Sequence, residues 1–238
     1  MPDHNIHATA IVNPAAQIHS SARVGPFSVI GAAKVGPDAI IHSHVVVADG
    51  VEIGARVEVF AGALLGKEPK GAGATARTPV FDRKVQVGAD CSIGPHAVIY
   101  YDVEIGTATL IGDGASVREQ CRIGSGCIIS RYVSLNYAVQ VGDRVKIMDG
   151  THLTGGMRVG DDAFVSAMVV TLNDNLIRAG FGDHIVGPVV ETGAVVGGGA
   201  TLLPGVVVGR NALVAAGAVV TKTVPAEQRV AGVPAKKF

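Results

Sequence analysis

The chain has 238 residues, with 20 Lys and Arg balanced by 20 Asp and Glu. That balance excludes a broadly polyanion-binding surface, so nucleic acid is not an expected partner. Aromatic residues make up only 4% and Trp is missing, and no aliphatic run approaches the roughly 20 residues of a membrane-spanning helix. The opening MPDHNIHA has no basic or apolar leader segment, which points to a cytoplasmic protein.

An aliphatic residue recurs every six positions almost from the start: Ile6, Val12, Ile18, Val24 and Ile30. The register shortens by one residue at Val35, then resumes at Ile41, Val47, Ile53, Val59 and Leu65. From Val87 to Val170 the period runs without a slip. The fifth place of each block is small or branched, as in Cys91, Ala97, Thr109, Cys121 and Cys127. Period six fits neither a 3.6-residue helix nor a two-residue strand. It fits a parallel β-helix, in which three short strands and three turns make one coil. First and fifth places would fill a narrow prism, and the three cysteines are then inert core residues, not nucleophiles or ligands. The Gly that often follows the opener (Gly88, Gly94, Gly106, Gly112, Gly124) is expected to supply positive φ at the turn.

The N-terminal coils carry His4, His7, His19, His42 and His44. These read either as exposed turn residues or as one wall of a pocket near that end. A zinc site would need His on facing rungs with a close pair. The long central run offers only His96 and His152, so no metal is expected.

Two stretches lose the period. Residues 66–84 (GKEPKGAGATARTPVFDRK) read as a loop ejected from the prism, and its Lys67, Lys70, Arg77, Arg83 and Lys84 suit a phosphate-bearing ligand. Residues 171–189 read as a second loop, with Asn173, Asp174, Asn175, Arg178 and His184. The period returns from Val190 to Val220, and two prolines then end it. The expected architecture is all-β: a parallel β-helix of about ten coils over 1–222, with two ejected loops and a C-terminal tail at 223–238.

The hexapeptides, AAGAVVTKTVP (215–225) and the terminal AGVPAKKF (231–238) resemble the hexapeptide-repeat acyltransferases. The resemblance implies a left-handed coil, although parallel crossovers are usually right-handed. It also implies a homotrimer and acyl transfer from acetyl-CoA or a longer acyl-CoA, bound between neighbouring prisms. KIMDGTHLTGG (146–156) and the following TLNDN resemble N-acyltransferases that act on nucleotide-linked (UDP or dTDP) amino sugars. That branch implies His152 as the base, Asp149 holding the amine or a water, and Asn136, Asn173, Asn175 and Arg178 around the sugar nucleotide. The tail implies Ala216 and Gly217 against the pantetheine arm, with Lys222, Arg229 and Lys236 at the phosphates. A competing resemblance runs through IHATAIVNPAAQIHSSARVG and SHVVV to the UDP-N-acetylglucosamine O-acyltransferases of lipid A synthesis, which use acyl-carrier protein. There the catalytic His would fall on Tyr137, and the helical domain that ends that family has no counterpart in the short tail. A non-catalytic β-helix subunit is a third reading. His152 follows the fifth place of its block and is expected to point outward at a prism edge.

Overall fold

The structure, a computed structural model, describes residues 5–71, 78–174 and 185–238. Among the described residues, successive two- to four-residue strands fall in turn on three sheets of eleven, ten and twelve strands, parallel except for the last strand of the third. The first face begins at Ile11–Val12, the second at Gln17–Ile18 and the third at Arg23–Val24. The chain is a left-handed parallel β-helix of about eleven coils, one more than the sequence suggests. Among the described residues, no helix is long and apolar enough to cross a membrane.

The openers and fifth places form one continuous core. Ile93, Ile99, Ile111, Ile129, Leu135 and Leu153 are fully buried, with Ala97, Val133 and Val139 between them. All three cysteines are buried. The Sγ–H groups of Cys91, Cys121 and Cys127 donate to the carbonyls of Gly106, Asn136 and Gly142, one coil on, at 3.0, 3.0 and 3.1 Å. Thr109 and Thr151 do the same with their hydroxyls, at 2.9 and 2.7 Å. A fifth-place side chain therefore has room for one small donor beneath the next turn. Burial raises all three thiols, Cys121 to about 12, so none is a thiolate near neutrality.

The glycine expectation needs correcting. Positive φ falls on the fourth place, two residues after the Gly that follows an opener: Asp90 (62°), His96 (57°), Ala108 (52°) and Arg144 (57°) adopt it without Gly. The Gly after the opener meets a different constraint, close approach of coils. A Cβ on Gly106 would lie 2.6 Å from the carbonyl carbon of Gly124 and 2.7 Å from the amide nitrogen of Ser125. On the second-to-third corner this makes an unbroken glycine column from Gly36 to Gly160.

The third place carries the groups that tie turns together. Asp49, Asp143 and Asp161 each accept the N–H of a residue one coil back, from Ala32, Ser125 and Asp143, at 2.7, 2.8 and 2.9 Å. The N-terminal histidines join this scheme. His7 and His19 bond Thr9 and Ser21 of their own turns at 2.9 Å, His42 bonds Glu58 at 2.8 Å, and His44 stacks on Phe27. His4 lies outside the described residues.

Both interruptions are shorter than the lost period implies. Leu64–Lys67 and Val189–Val190 are strands, and so is Val170–Thr171. The tail also belongs to the prism. Val224 bridges to Val208, Arg229–Ala231 adds a parallel strand to the third face, and Lys236–Lys237 folds back on it antiparallel.

Two substitutions separate the two glycine roles. Gly199 has φ +67° and nothing within 4 Å of an added Cβ, so Gly199→Ala should cost about 1–2 kcal/mol, the left-handed penalty alone. Gly106→Ala forces backbone atoms of the next coil apart and should lower the thermal midpoint further. Equal midpoints would show that the coils are not in such close register.

Candidate active site

Both excursions leave the prism at the same place. The first departs from the Leu64–Lys67 strand of the first face and returns to Val85–Val87 of the second. The second departs from Val170–Thr171 and returns at Val189–Val190 on the same two faces. Between them, four turns cross the first-to-second corner. Their second places are Tyr100, Arg118, Asn136 and Thr154, and their third places are Tyr101, Glu119, Tyr137 and Gly155. The equivalent column on the second-to-third corner is all Gly at the second place. Here it carries side chains with hydrogen-bonding groups.

The centre of this column is a buried charge. Glu119 has a fully buried side chain, and a carboxylate without water needs donors or a cation. Arg118 supplies both, with Nε donating to Oε2 at 3.1 Å and Nη2 to Oε1 at 3.0 Å. Its Nη1 donates to Asn136 Oδ1 at 3.0 Å. The guanidinium carbon lies 5.8 and 5.9 Å from the ring centres of Tyr100 and Tyr137, within cation–π range. The Tyr137 ring covers Gly155, where a Cβ would collide with it. Asn173, at the start of the second excursion, donates from Nδ2 to Gly155 O at 3.2 Å. The first excursion is pinned below: Phe81 stacks on Tyr101, Arg83 pairs with Glu68 at 2.7 Å, and the Lys67 ammonium sits 4.3 Å over Tyr100.

His152 borders this column on the first face. Its strand, His152–Leu153, pairs with Ser134–Leu135, and Nδ1 lies 2.8 Å from Ser134 Oγ. The side chain is half-buried, and that burial lowers its pKa below the ordinary 6.5. His152 therefore points outward as expected, but from the flat strand and not from a prism edge, because strands occupy the sixth and first places. Beneath it, the backbone is unusual. The opener of the next coil is the buried Thr171, whose Oγ1 accepts Thr154 N–H at 2.8 Å and donates to His152 O at 3.0 Å.

The expected site residues divide accordingly. Asn136, His152 and Asn173 share this corner and the adjoining face. Asp149 sits in the turn before His152, on the third-to-first corner, where it accepts from the Ser130 hydroxyl, from Arg131 N at 3.2 Å and from the Arg131 guanidinium at 2.6 Å. The Ser130 and Arg131 bonds hold its carboxyl below the usual carboxylate range. Its bond from Arg131 N repeats the backbone contact of the other third-place aspartates, and the Arg131 guanidinium and Ser130 hydroxyl are added to it. Asn175 and Arg178 lie outside the described residues, as do Arg77 and His184. Ala216 and Gly217 form an exposed third-to-first corner, Lys222 lies on the first-to-second corner, and Arg229 and Lys236 lie on neighbouring strands of the third face. Within one chain these five do not share a surface. Arg118, Glu119, Ser134 and Tyr100 escape a reading based on period alone. Their signal was available: Tyr-Tyr, Arg-Glu and Asn-Tyr replace Gly-x directly after an opener.

A groove of about 970 Å³ runs along the second face, but its charges are already engaged, Lys34 with Glu52 at 2.9 Å, Arg122 with Glu104 at 3.4 Å, and Asp143 and Asp161 with backbone N–H groups. It offers no convergent chemistry like that of the corner.

Comparison with known proteins finds a hexapeptide-repeat match over one stretch of the chain and the same β-helical fold in solved structures. Residues 189–222 match the family described as the hexapeptide repeat of succinyl-transferase. The acyl-(acyl-carrier-protein)–UDP-N-acetylglucosamine O-acyltransferase of Brucella ovis is 30% identical over 118 residues, which is 49% of this chain and 41% of that protein. The match thus spans less than half the length of that relative. The UDP-N-acetylglucosamine acyltransferase of Arabidopsis superposes over 98% of this chain and 73% of its own, with TM-score 0.59 and 21% identity. An N-acyltransferase from Bacillus cereus, solved with dTDP and coenzyme A, covers 56% of this chain and 81% of its own, with TM-score 0.50 and 22% identity.

Thr171 is the local support on which the His152 backbone rests. Thr171→Val keeps its shape but strands the buried Thr154 N–H, which should cost about 1–3 kcal/mol. Chemical denaturation checks this, and an unchanged midpoint would mean Thr154 finds another acceptor.

Proposed function

We propose that the chain is an acyltransferase that moves an acyl group from coenzyme A to the amine of a nucleotide-linked amino sugar, at the corner between the two excursions. The observation that carries this reading is His152, half-buried and bonded to Ser134 beside a column of fixed donors. Acyl transfer to an amine needs a neutral nucleophile, a proton acceptor and a donor for the oxyanion. Burial keeps the imidazole unprotonated near neutrality, so it is ready to accept. For Nε2 to act, Nδ1 must carry the hydrogen and donate to Ser134 Oγ, which then fixes the ring. In this reading Asp149 supports the turn that leads into His152 and is the alternative base through a water. Asn173, with Asn175 and Arg178, holds the sugar nucleotide, and Asn136 lies beside its reacting end.

Coenzyme A is assigned to Ala216, Gly217, Lys222, Arg229 and Lys236. They lie on different sides of one prism, and a groove between neighbouring prisms would gather them. A homotrimer, with no metal and no nucleic acid, is therefore part of the proposal. The Bacillus cereus N-acyltransferase, which binds dTDP and coenzyme A, supports this choice of ligands. The Brucella ovis match supports a second reading, O-acylation of UDP-N-acetylglucosamine from acyl-carrier protein, with Tyr137 where that family's His would fall.

The test is an assay for released carrier thiol with amino- and hydroxy-sugar nucleotides side by side, each with acyl-CoA and with acyl-carrier protein. Turnover only with hydroxy sugars and acyl-carrier protein would hand the case to the second reading. His152→Ala should lower turnover by roughly 10²- to 10⁴-fold and leave coenzyme A binding intact. The opposite order, a mild His152→Ala and a severe Asp149→Ala, would move the base to Asp149.

The pH profile gives an independent check. Protonated His152 cannot accept a proton, so activity is lost as pH falls through its folded pKa. Burial lowers that pKa below 6.5, so the acid limb of kcat/KM should have its midpoint below 6.5. A midpoint above 6.5 would point to a different group.

A further inference from the structure

We infer that Asn136 is the donor to the acyl oxygen in the transition state, with its amide turned outward by an Arg118 that Glu119 holds in place. The inference rests on the acyl-transfer reading above and assigns a role within that site.

The argument is one of hydrogen-bond capacity. Asn136 Oδ1 accepts two bonds, from Arg118 Nη1 at 3.0 Å and from the Tyr137 backbone N–H at 3.0 Å. A carbonyl oxygen has two lone pairs, so this acceptor is full. The reversed amide would set its NH2 against two donors, so the orientation is settled by its neighbours and not by choice of placement. Nδ2 must then face the other way, out of the corner, and Asn136 is half-buried, so it is reachable from the site.

Everything behind the amide is fixed. Asn136 N–H donates to Leu153 O at 2.8 Å, and its own carbonyl accepts Cys121 Sγ–H at 3.0 Å. Arg118 is held through two nitrogens by a carboxylate with no exposed surface. A cation bonded to Oδ1 draws density from the amide and strengthens its N–H groups as donors. The Arg118 charge is itself offset by Glu119, so the device presents a polarised neutral donor. Oxyanion stabilisation asks for such a donor, preorganised before the charge appears.

The position suits the reaction. Asn136 follows Ser134 by two residues, and Ser134 is the cross-strand partner of His152. Strand rise and coil spacing put Asn136 and His152 roughly 8 Å apart at the backbone, a span that one reacting acyl group can bridge. The amine nitrogen attacks the thioester carbon, and the C=O electron pair moves to oxygen, which Asn136 Nδ2 bonds. His152 takes the nitrogen's proton. The oxyanion collapses, the C–S bond breaks, and the proton passes to the leaving thiolate.

The decisive variant is Asn136→Asp. It keeps an oxygen for Arg118 and for Tyr137 N–H, so folding should survive, but it replaces the outward donor with an acceptor. The expected result is a kcat roughly 10²- to 10³-fold lower, with KM for the sugar nucleotide within about twofold of the wild type and no drop in thermal midpoint. Arg118→Lys is the second variant. It keeps the charge but cannot hold Glu119 and Asn136 together, and it too should lower kcat more than it raises KM. If the wild type turns over and Asn136→Asp matches it, or if the loss falls on KM alone, this inference fails while acyl transfer stands. If the wild type turns over no acyl donor with any acceptor, acyl transfer itself fails and takes the inference with it.

Discussion

Each coil lies flat on the next: strand N–H groups find acceptors one coil on, while fifth-place N–H groups such as that of Ala97 close their own turns. This stacking turns sequence positions into columns. A residue's environment depends on its place in the block and on which of three corners or faces it occupies. First and fifth places are dry and apolar. Third places carry the side chains that cap the turn behind. Second places run so close to the neighbouring coil that one corner carries only Gly from Gly36 to Gly160. Stability in such an array is shared between neighbours, so a departure in one column is supported by the regular columns beside it.

The first-to-second corner is where the departure occurs, and it is organised around one costly group. Glu119 is buried against Arg118, and removing Arg118 would take away the cation that faces it, at a cost of about 3–5 kcal/mol. An isolated ion pair of this kind is poor evidence for stability. Its geometry here has a different consequence, since three of the five Arg118 N–H groups are committed and the remaining structure is locked to them. Asn136, Tyr100 and Tyr137 take their positions from that guanidinium. The two excursions bracket the column above and below because they leave from the same corner, in the coils before and after it.

Much of the fold was legible because the period is chemical. Aliphatic openers such as Ile93, Ile99 and Ile105, with small fifth places, can bury themselves only in a stacked prism. The excursions were legible as a loss of that period. What it could not reveal was the meaning of Gly: Gly106 and Gly156 look alike in sequence, yet one answers to a neighbouring backbone and the other to φ of +74°. Nor could it separate Asp149 from His152. Both interrupt an apolar run, but the third place of another corner already uses Asp in Asp143 and Asp161, whereas among the described residues no other coil puts His beside Ser on the first face. Arg118 and Glu119 were hidden because adjacent opposite charges usually mark a solvated turn. Only the coil geometry shows that the carboxylate is sealed beneath the next turn. The return of the tail was not legible either, since a proline stops a ladder only where its N–H is needed, and Arg229–Ala231 rejoins the third face between Pro225 and Pro234.

The charge distribution leads to a division of labour along the prism. At the bracketed corner the Arg118 cation is offset by Glu119, and His152 is kept neutral by burial, so the corner holds donors and acceptors but little net charge. Such a place favours a neutral nucleophile and a polarised carbonyl over a phosphate. Cations with more freedom lie beyond it: Lys67 at the lower rim, and Lys222, Arg229 and Lys236 near the C-terminal end. A substrate with an uncharged reacting group and an anionic handle would lie across these regions, its handle directed to the rim and its reacting atoms to the column. On the proposed acyl-transfer reading, phosphate attraction would contribute binding in ground and transition states alike, while the fixed amide and imidazole would act on charge that appears only during reaction.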